Sequence, residues 1–275
     1  MYATDEILRK IGRNIILFQQ LEQLLKYFCV NGNISGFASQ LQELAEQRNT
    51  SIQKQTMGQL VGQYINSVNP ELEELPAEPE EIEEVYFTFK FRIDCDSVYF
   101  EKKKEALAKV VSERNQLVHH LLPKFDLSDP ESCKTIGIQL DDQSKRLRDE
   151  IKDLTANAKA LSEGKKELSK FIASQEGEKQ FKLSFLQQSR LAVLLGEIAF
   201  QTARLDGWAL MSVAGQLIRQ HAPEEIALLK ERYGHNSLKS LILATELFDL
   251  YEETTEKGGI RVLYRLKSGW KLSHA

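Results

Sequence analysis

The feature that most constrains the fold of this chain is a long series of apolar residues in its second half, spaced alternately three and four positions apart. This spacing places the residues along one side of an α-helix and extends over about five heptads. The series is Leu140, Leu147, Ile151, Leu154, Ala158, Leu161, Leu168 and Ile172, interrupted by Ser144 and Lys165. We therefore predict a helical arm over about 138–175, which packs either inside the chain or against a second copy.

Helical spacing also dominates the rest of the first 203 residues. The chain has only 15 Gly and 6 Pro in 275 residues, which favours helices over turns and strands. The first predicted helix, 5–29, carries an apolar stripe that includes Ile7, Ile11 and Leu25. Further helices are expected from near 36, over 59–68, over 101–122 and over 183–203. The fold class is therefore mainly α, with a helical bundle as the first domain.

One short segment has the period of a β-strand. An acidic stretch, 71–84, contains eight Glu and two Pro and is interpreted as a solvated loop. The segment VYFTFKFRI follows it, and its apolar residues alternate with polar ones and with Tyr86, as in a half-buried strand. A turn at 94–96 would lead to a partner strand at 97–100. We predict a small β-hairpin over about 85–100.

The last 72 residues change character, and a domain boundary is expected near 204. Shorter helices are predicted over 210–221, 223–233 and 237–244. Strands are predicted over 248–252 and 261–266, joined by a loop that contains Gly258 and Gly259. Three helices followed by such a β-wing are typical of a winged helix-turn-helix. The predicted domains are 1–203, which is helical, and 204–275, which is the winged helix.

Composition excludes several classes of protein. With 36 Lys and Arg against 40 Asp and Glu, the net charge of −4 is wrong for a chain that coats nucleic acid by charge alone. Cys29, Cys95 and Cys133 are far apart, which argues against a structural zinc site and fits the reducing cytoplasm. No apolar stretch is long enough to span a membrane, and the N-terminus does not have the pattern of a signal peptide.

The segment that carries the most chemistry is 113–120, ERNQLVHH. Arg114 lies in the middle of an apolar stripe, while Asn115 and His119 are four residues apart and share the neighbouring face. A histidine can exchange a proton with the 2′-hydroxyl or the leaving oxygen of RNA, and an arginine can stabilise charge on the phosphoryl oxygens. The nucleophile belongs to the substrate, so this reaction needs no metal.

A structural role explains the same residues. Arginine and histidine near the C-terminal end of a helix interact favourably with its dipole. Glu22, close to the apolar stripe of the first helix, could pair with Arg114 in the core. On residue chemistry alone, this structural interpretation is favoured over the catalytic one.

The segment resembles the R-x(4–6)-H motif of HEPN-domain ribonucleases, and IGRNIILFQQLEQLLK is similar to their first helix. The resemblance implies a metal-independent endoribonuclease that acts as a homodimer and needs no cofactor. It implies that Arg114 and His119 are catalytic and that Asn115 supports them, while His120 fits the longer spacing. It also implies a toxin or defence role, with an antitoxin or regulatory protein as a further partner.

The C-terminal region resembles a LOTUS (OST-HTH) domain, through DGWAL at 206–210, YGHNSLKSLI at 233–242 and VLYRL at 262–266. The resemblance implies RNA binding with a preference for guanine-rich or quadruplex RNA. Residues 201–275 hold ten Lys and Arg and nine Asp and Glu, so a basic patch must be local. The candidate RNA-binding residues are Lys239, Arg261, Arg265, Lys267 and Lys271, with Tyr264 and Trp270 for stacking.

Taken together, the sequence predicts an RNA-directed endoribonuclease in which the second domain recruits RNA and the first cuts it to a 2′,3′-cyclic phosphate. Two alternatives stay open. In the first, the chain is a non-catalytic RNA-binding adaptor that uses the helical domain only to dimerise. In the second, the winged helix enters the major groove of DNA and the protein is a DNA-binding regulator.

Overall fold

The computed structural model describes residues 2–69, 86–121, 126, 129–256 and 258–268. These residues are mainly helical, as expected, with two small antiparallel sheets. Their contacts separate two compact units, one formed by 2–69 with 86–168 and the other by 169–268. The predictions for the acidic loop 71–84, for Trp270 and for Lys271 lie outside the described residues.

The first unit contains five helices and one pair of strands among the described residues. Helix α5 is the predicted arm, and its residues 169–172 are counted with the second unit. The elements are α1 (Tyr2–Asn31), β1 (Asn33–Phe37), α2 (Leu41–Gln53), α3 (Met57–Val68), β2 (Tyr86–Lys90), α4 (Ser97–His119) and α5 (Pro130–Ile172). A single 3₁₀ turn, Ala38–Gln40, joins β1 to α2.

The arm packs inside the chain. Leu140, Leu147, Leu154 and Leu161, each seven residues after the one before, are buried in the same core as residues of α1, α3 and α4. Asn14 of α1 is fully buried, and its amide donates to the Leu140 carbonyl at 2.8 Å and to the Gln143 side chain at 2.7 Å. Because a buried amide must find its partners, these bonds fix the register of α1 on α5. The structure therefore shows the arm packed inside the chain, which is the first of the two arrangements expected from the sequence.

The predicted hairpin is wrong because its expected partner strand, 97–100, is not a strand. Strand β2 pairs antiparallel with β1, from Asn33 opposite Lys90 to Phe37 opposite Tyr86. Residues 97–100 instead begin α4, because the Asp96 side chain accepts the Tyr99 N–H at 2.6 Å and caps the helix.

A helix was expected to begin near residue 36, but this segment is strand β1. A Cβ on Gly36 would lie 2.5 Å from Cδ1 of Leu44, so the absence of a side chain lets β1 lie close to α2. The predicted helix 59–68 is present as α3, and the predicted helix 101–122 corresponds to α4 with earlier bounds.

The second unit contains six helices and three strands among its described residues. They are α6 (Gln175–Gln188), α7 (Arg190–Thr202), β3 (Ala209–Leu210), α8 (Met211–His221), α9 (Pro223–Ala227), α10 (Leu229–Tyr233), α11 (Leu238–Thr245), β4 (Phe248–Thr254) and β5 (Ile260–Leu266). The strands form one antiparallel sheet in the order β3-β5-β4. The predicted helix 223–233 is divided at Leu228 into α9 and α10.

The contacts place α6 and α7 with the C-terminal elements. Leu191 and Leu195 of α7 share a core with Leu241 of α11 and Tyr264 of β5. The Tyr264 hydroxyl donates to the Leu195 carbonyl at 3.0 Å. The contacts therefore divide the chain at residue 169, whereas the sequence led us to expect a boundary near 204. The single helix expected over 183–203 is wrong, because Ser189 ends α6 and its side chain caps α7.

Within the described part of the chain, no helix combines the length and the apolar character needed to cross a membrane.

The link between α5 and α6 supplies a test of the fold. Gly177, in the first turn of α6, has no room for a side chain, because a Cβ there would overlap the carbonyl group of Phe171. We expect Gly177→Ala to lower the free energy of unfolding by about 1–3 kcal/mol, since the backbone must move to relieve the overlap. Urea denaturation followed by circular dichroism measures this difference.

Gly215→Ala is the matched control for this prediction. A Cβ on Gly215, in α8 of the same unit, would meet its nearest side-chain atom at 3.6 Å, an ordinary contact. Alanine is also the better helix former, so this variant should be neutral or stabilised by up to about 1 kcal/mol. Equal stability of the two variants would contradict the close packing at Gly177.

Candidate functional site

The candidate site lies on the last two turns of α4. Leu107, Val110 and Leu117 bury one side of this helix in the core of the first unit. Arg114 is half-buried beside that face, whereas Asn115 and His119 are exposed. The packing of the apolar residues therefore holds the three polar side chains at the surface of a rigid element.

The structure brings Arg114, Asn115 and His119 together. Nη1 of Arg114 donates to Oδ1 of Asn115 at 3.2 Å and contacts Nε2 of His119 at 3.4 Å. A guanidinium has no acceptor atom, so this contact is favourable when Nε2 is unprotonated and Nδ1 carries the proton. The contact thus presents a guanidinium and an imidazole side by side, facing solvent.

His120 lies apart from this contact. It is the C-cap of α4, and its backbone N–H donates to the Gln116 carbonyl at 3.0 Å. Its side chain lines a separate groove of about 540 Å³, together with Glu113, Gln143 and Arg146. Between the two candidate histidines, the contact with Arg114 therefore selects His119.

Glu22 does not pair with Arg114. Its carboxylate lies 3.0 Å from Nζ of Lys26, one helical turn further along α1. Within the described residues, Arg114 has no carboxylate within ion-pair distance. Glu22 and Arg114 nevertheless line the same groove. Because Arg114 has no carboxylate partner in the described residues, its guanidinium keeps its charge available for an external anion.

That groove has a volume of about 1150 Å³ and is bordered by α1, α4 and α5. Its α1 wall carries three amide side chains, Gln19, Gln20 and Gln23. Two of its apolar residues, Ile16 and Val118, remain about half exposed, at 53% and 48%. The groove therefore combines one cation, one carboxylate and several amides with apolar surface that is open to a partner.

The predicted RNA-binding residues of the second unit differ in their exposure and in their partners. Tyr264 is fully buried in the core, so its prediction as a stacking residue is wrong: on β5 it faces inwards to α7. Lys239 pairs with Glu252, Arg261 with Glu253 and Arg265 with Asp249. Lys267 donates to the Glu246 carbonyl at 2.8 Å.

These pairs do not remove the cations from consideration as ligands for RNA. The four side chains of Lys239, Arg261, Arg265 and Lys267 belong to exposed or half-exposed residues. Exposed ion pairs contribute about 0–1 kcal/mol, so a phosphate can replace the carboxylate at small cost.

A stacking surface that the sequence analysis missed lies beside this region. The guanidinium carbon of Arg265 lies 4.5 Å from the ring centroid of Trp208, and the Trp208 and Tyr251 rings are 5.7 Å apart. Tyr251 is 53% exposed and Trp208 is half-buried. The alternation along β4 could have revealed Tyr251, because Leu250 faces the core and its neighbour must therefore face outwards.

Among the described residues, no group of three or more His, Cys, Asp or Glu side chains is arranged to hold a metal ion. No protein-family model, curated protein or solved structure matches this chain. Its function must therefore be argued from its own residues.

The contact between Arg114 and His119 can be tested by its effect on the imidazole tautomer. In ¹⁵N-labelled protein at about pH 8.5, where imidazole is neutral, we expect His119 to carry its proton on Nδ1. Arg114→Gln shortens the donor and removes the charge, so the Nε2–H form should gain population. Long-range ¹H–¹⁵N spectra distinguish the two tautomers.

His120 is the internal control, because its ring does not contact Arg114 through a hydrogen bond. Its tautomer should be unchanged in Arg114→Gln. A His119 ring in the Nε2–H form in the original protein would show that the contact is absent in solution.

Proposed function

We propose that this protein is an RNA-binding, metal-independent endoribonuclease whose catalytic residues are Arg114 and His119. The observation that carries the proposal is the exposed contact of the Arg114 guanidinium with Nε2 of His119, without a carboxylate partner for the arginine in the described residues. A guanidinium without such a partner keeps its charge available for a phosphate. The resemblance of the first unit to HEPN ribonucleases supports the same assignment.

The two side chains suit transesterification of RNA. The 2′-oxygen attacks the adjacent phosphorus, the bond from phosphorus to the 5′-oxygen breaks, and a 2′,3′-cyclic phosphate forms. His119 takes the proton of the 2′-hydroxyl or returns one to the leaving 5′-oxygen. Arg114 stabilises the charge that develops on the phosphoryl oxygens, and Asn115 holds its Nη1 in place.

One protomer supplies one such histidine, whereas the reaction needs both a base and an acid. A second copy related by a two-fold axis would place a second pair of Arg114 and His119 at the same cleft. The half-exposed Ile16 and Val118 beside Arg114 offer apolar area for that contact. The proposed active species is therefore a homodimer.

The second unit would recruit the RNA. The order of its elements, with α8–α11 followed by β4 and β5, supports a winged helix of the LOTUS type. Trp208, Tyr251 and Arg265 offer a surface on which unpaired or guanine-rich bases stack. A toxin or defence role would follow from such an activity. The three free cysteines support a reducing compartment such as the cytoplasm.

Cleavage by the original protein and by three variants tests the catalytic proposal. With EDTA present, the protein should cut a guanine-rich, partly single-stranded RNA and leave cyclic phosphate ends. Arg114→Ala and His119→Ala should each reduce the rate by about 10²-fold or more, since each removes a group that acts in the transition state. Gel electrophoresis and end-group analysis by mass spectrometry measure both properties.

His120→Ala is the matched control, because it removes a neighbouring imidazole that faces another groove, and it should keep most of the activity. Equal cleavage by all variants would show a contaminating nuclease, and intact RNA would favour the non-catalytic adaptor. Sedimentation velocity on the same samples checks the dimer: a monomer that is fully active contradicts the two-protomer site.

Recruitment of RNA is tested separately by the stacking surface. Trp208→Ala should weaken binding of a short guanine-rich RNA by about 1–3 kcal/mol, the usual loss for one stacked base. Tyr264→Phe should leave binding unchanged, because its ring is buried, although it removes the hydrogen bond to Leu195. Fluorescence anisotropy measures both.

The result that would contradict the proposed surface is a larger effect of Tyr264→Phe than of Trp208→Ala. Preference for a duplex DNA of the same sequence would instead favour a DNA-binding regulator.

A further inference from the structure

The groove that His120 lines, between the C-terminal end of α4 and the first half of α5, is a second candidate site in the first unit. Its volume is about 540 Å³, which is within the usual range for small-molecule sites. It shares no lining residue with the groove beside Arg114. Apolar side chains of Leu117, Leu121 and Ile136 form part of its wall and offer a surface for a flat ring. We call it the α4–α5 groove.

Gln143 presents an unused hydrogen-bond donor in the α4–α5 groove. The residue is only 8% exposed, and its Oε1 accepts from the Asn14 amide at 2.7 Å, which fixes the orientation of the Gln143 amide. Its Nε2 makes no hydrogen bond with any described residue, yet this atom keeps accessible surface. Buried donors are normally satisfied, so this group favours a ligand that carries an acceptor.

Arg146 and Asp142 add polar groups next to Gln143. Residues three or four apart on a helix have Cβ atoms about 5–6 Å apart, so both Gln143 and Asp142 adjoin Arg146. Nη2 of Arg146 donates to Glu113 at 2.6 Å, while its Nη1 makes no hydrogen bond with a described residue. Asp142 is exposed, lines the groove and has no hydrogen bond or ion pair within the described part of the chain. Two donors and one free carboxylate therefore lie side by side.

This set of groups matches the edges of a guanine base. Because Glu113 already neutralises Arg146, the free carboxylate of Asp142 disfavours a phosphate in this groove and favours an uncharged ring. Guanine has two adjacent donors, N1–H and N2–H, that one carboxylate can accept together. It also has two adjacent acceptors, O6 and N7, for the side-chain donors. Adenine, cytosine and uracil each lack the adjacent pair of donors.

The α4–α5 groove begins close to the candidate catalytic residues. The ring of His120, which lines the groove, has its centroid 6.2 Å from that of His119. A single nucleotide can span this distance. A base in the groove can therefore belong to a nucleotide that adjoins a phosphate held by Arg114 and His119.

We propose that the α4–α5 groove binds a guanine base of the RNA next to the scissile phosphate. Asp142 accepts the N1–H and N2–H groups, and Gln143 and Arg146 donate to O6 and N7. The place of the groove in the reaction rests on the proposed ribonuclease function. The recognition of guanine itself rests on the side chains of the groove alone.

Titration calorimetry with guanosine 3′-monophosphate on the full chain tests the recognition of guanine. This nucleotide should bind with a measurable Kd. Inosine 3′-monophosphate differs from it only by the missing 2-amino group and should bind at least about tenfold more weakly, because one donor to Asp142 is lost. Adenosine 3′-monophosphate should be weaker still. Equal affinity for the three nucleotides would overturn the proposal.

Asp142→Asn is the decisive variant, because it keeps the shape of an exposed side chain and removes the carboxylate. It should raise the Kd for guanosine 3′-monophosphate at least about tenfold, with an unchanged circular dichroism spectrum. Asp149→Asn makes the same change on an exposed residue of α5 that does not line the groove, and it should bind as the original protein does. Equal affinity of the two variants would overturn the proposal.

The donor of Gln143 has its own readout. In ¹⁵N-labelled protein its side-chain amide signals are identified by their loss in Gln143→Glu. Guanosine 3′-monophosphate should shift these signals, because an acceptor of the base reaches Nε2. Unshifted signals at saturating nucleotide would overturn the assignment of this donor.

Cleavage of short RNAs that differ in a single base separates this proposal from the ribonuclease activity. The original protein should cut fastest next to guanosine, and Asp142→Asn should still cut but lose the preference. Cleavage without a base preference, or a preference that persists in Asp142→Asn, would overturn the guanine site and leave the ribonuclease intact. Intact RNA, together with binding of guanosine 3′-monophosphate that depends on Asp142, would support the recognition of guanine and overturn its place in a cleavage reaction.

Discussion

The packing of α5 against α1 and α4 is the interaction on which the first unit depends. The seven-residue repeat of buried leucines on α5 supplies the apolar part. Polar contacts then fix which residues face each other: Asn14 binds α5 from α1, and from α4 the side chain of Glu113 pairs with Arg146 at 2.6 Å. Lys103 adds an ion pair with Glu150, also at 2.6 Å, in a largely buried position. Buried ion pairs contribute little net stability but tolerate few alternative registers, so they specify where α4 sits.

That placement separates two neighbouring charges on α4. Successive residues of a helix point about 100° apart. Glu113 therefore meets Arg146 on α5, whereas Arg114 lies over the groove next to α1. The carboxylate that precedes Arg114 in the sequence is thus paired with Arg146, and the Glu22 carboxylate is paired with Lys26. The exposed cation beside His119 is thus a consequence of how the bundle satisfies its other charges. This connection between core packing and a guanidinium without a carboxylate partner among the described residues is the physical argument for the proposed site.

Some of this arrangement could be read from sequence and some could not. The helical arm was predictable because a seven-residue repeat has a single geometric meaning, and the motif residues on α4 follow from helical spacing. The pairing of Glu22 with Lys26 was also accessible, since i and i+4 residues adjoin on a helix. The strand β1 was not, because its sequence NISGF has no strong period and it forms only through β2, which follows it by about 50 residues. Tyr264 illustrates the same limit: its burial depends on α7, which is distant in the sequence and was assigned to the other domain.

In the near-neutral C-terminal region, acidic and basic side chains are paired with each other at the surface. The carboxylates of β4, Asp249, Glu252 and Glu253, each face a cation that comes from another element. For RNA bound as proposed, a phosphate must therefore exchange with a carboxylate at each of these positions, which leaves a smaller electrostatic gain than the same cations would give alone. Stacking on Trp208 and Tyr251 requires no exchange of a carboxylate, because the groups that adjoin these rings are each other and the Arg265 guanidinium. For this surface, affinity should depend more on unpaired bases than on the number of phosphates, which favours single-stranded or guanine-rich RNA over a regular duplex.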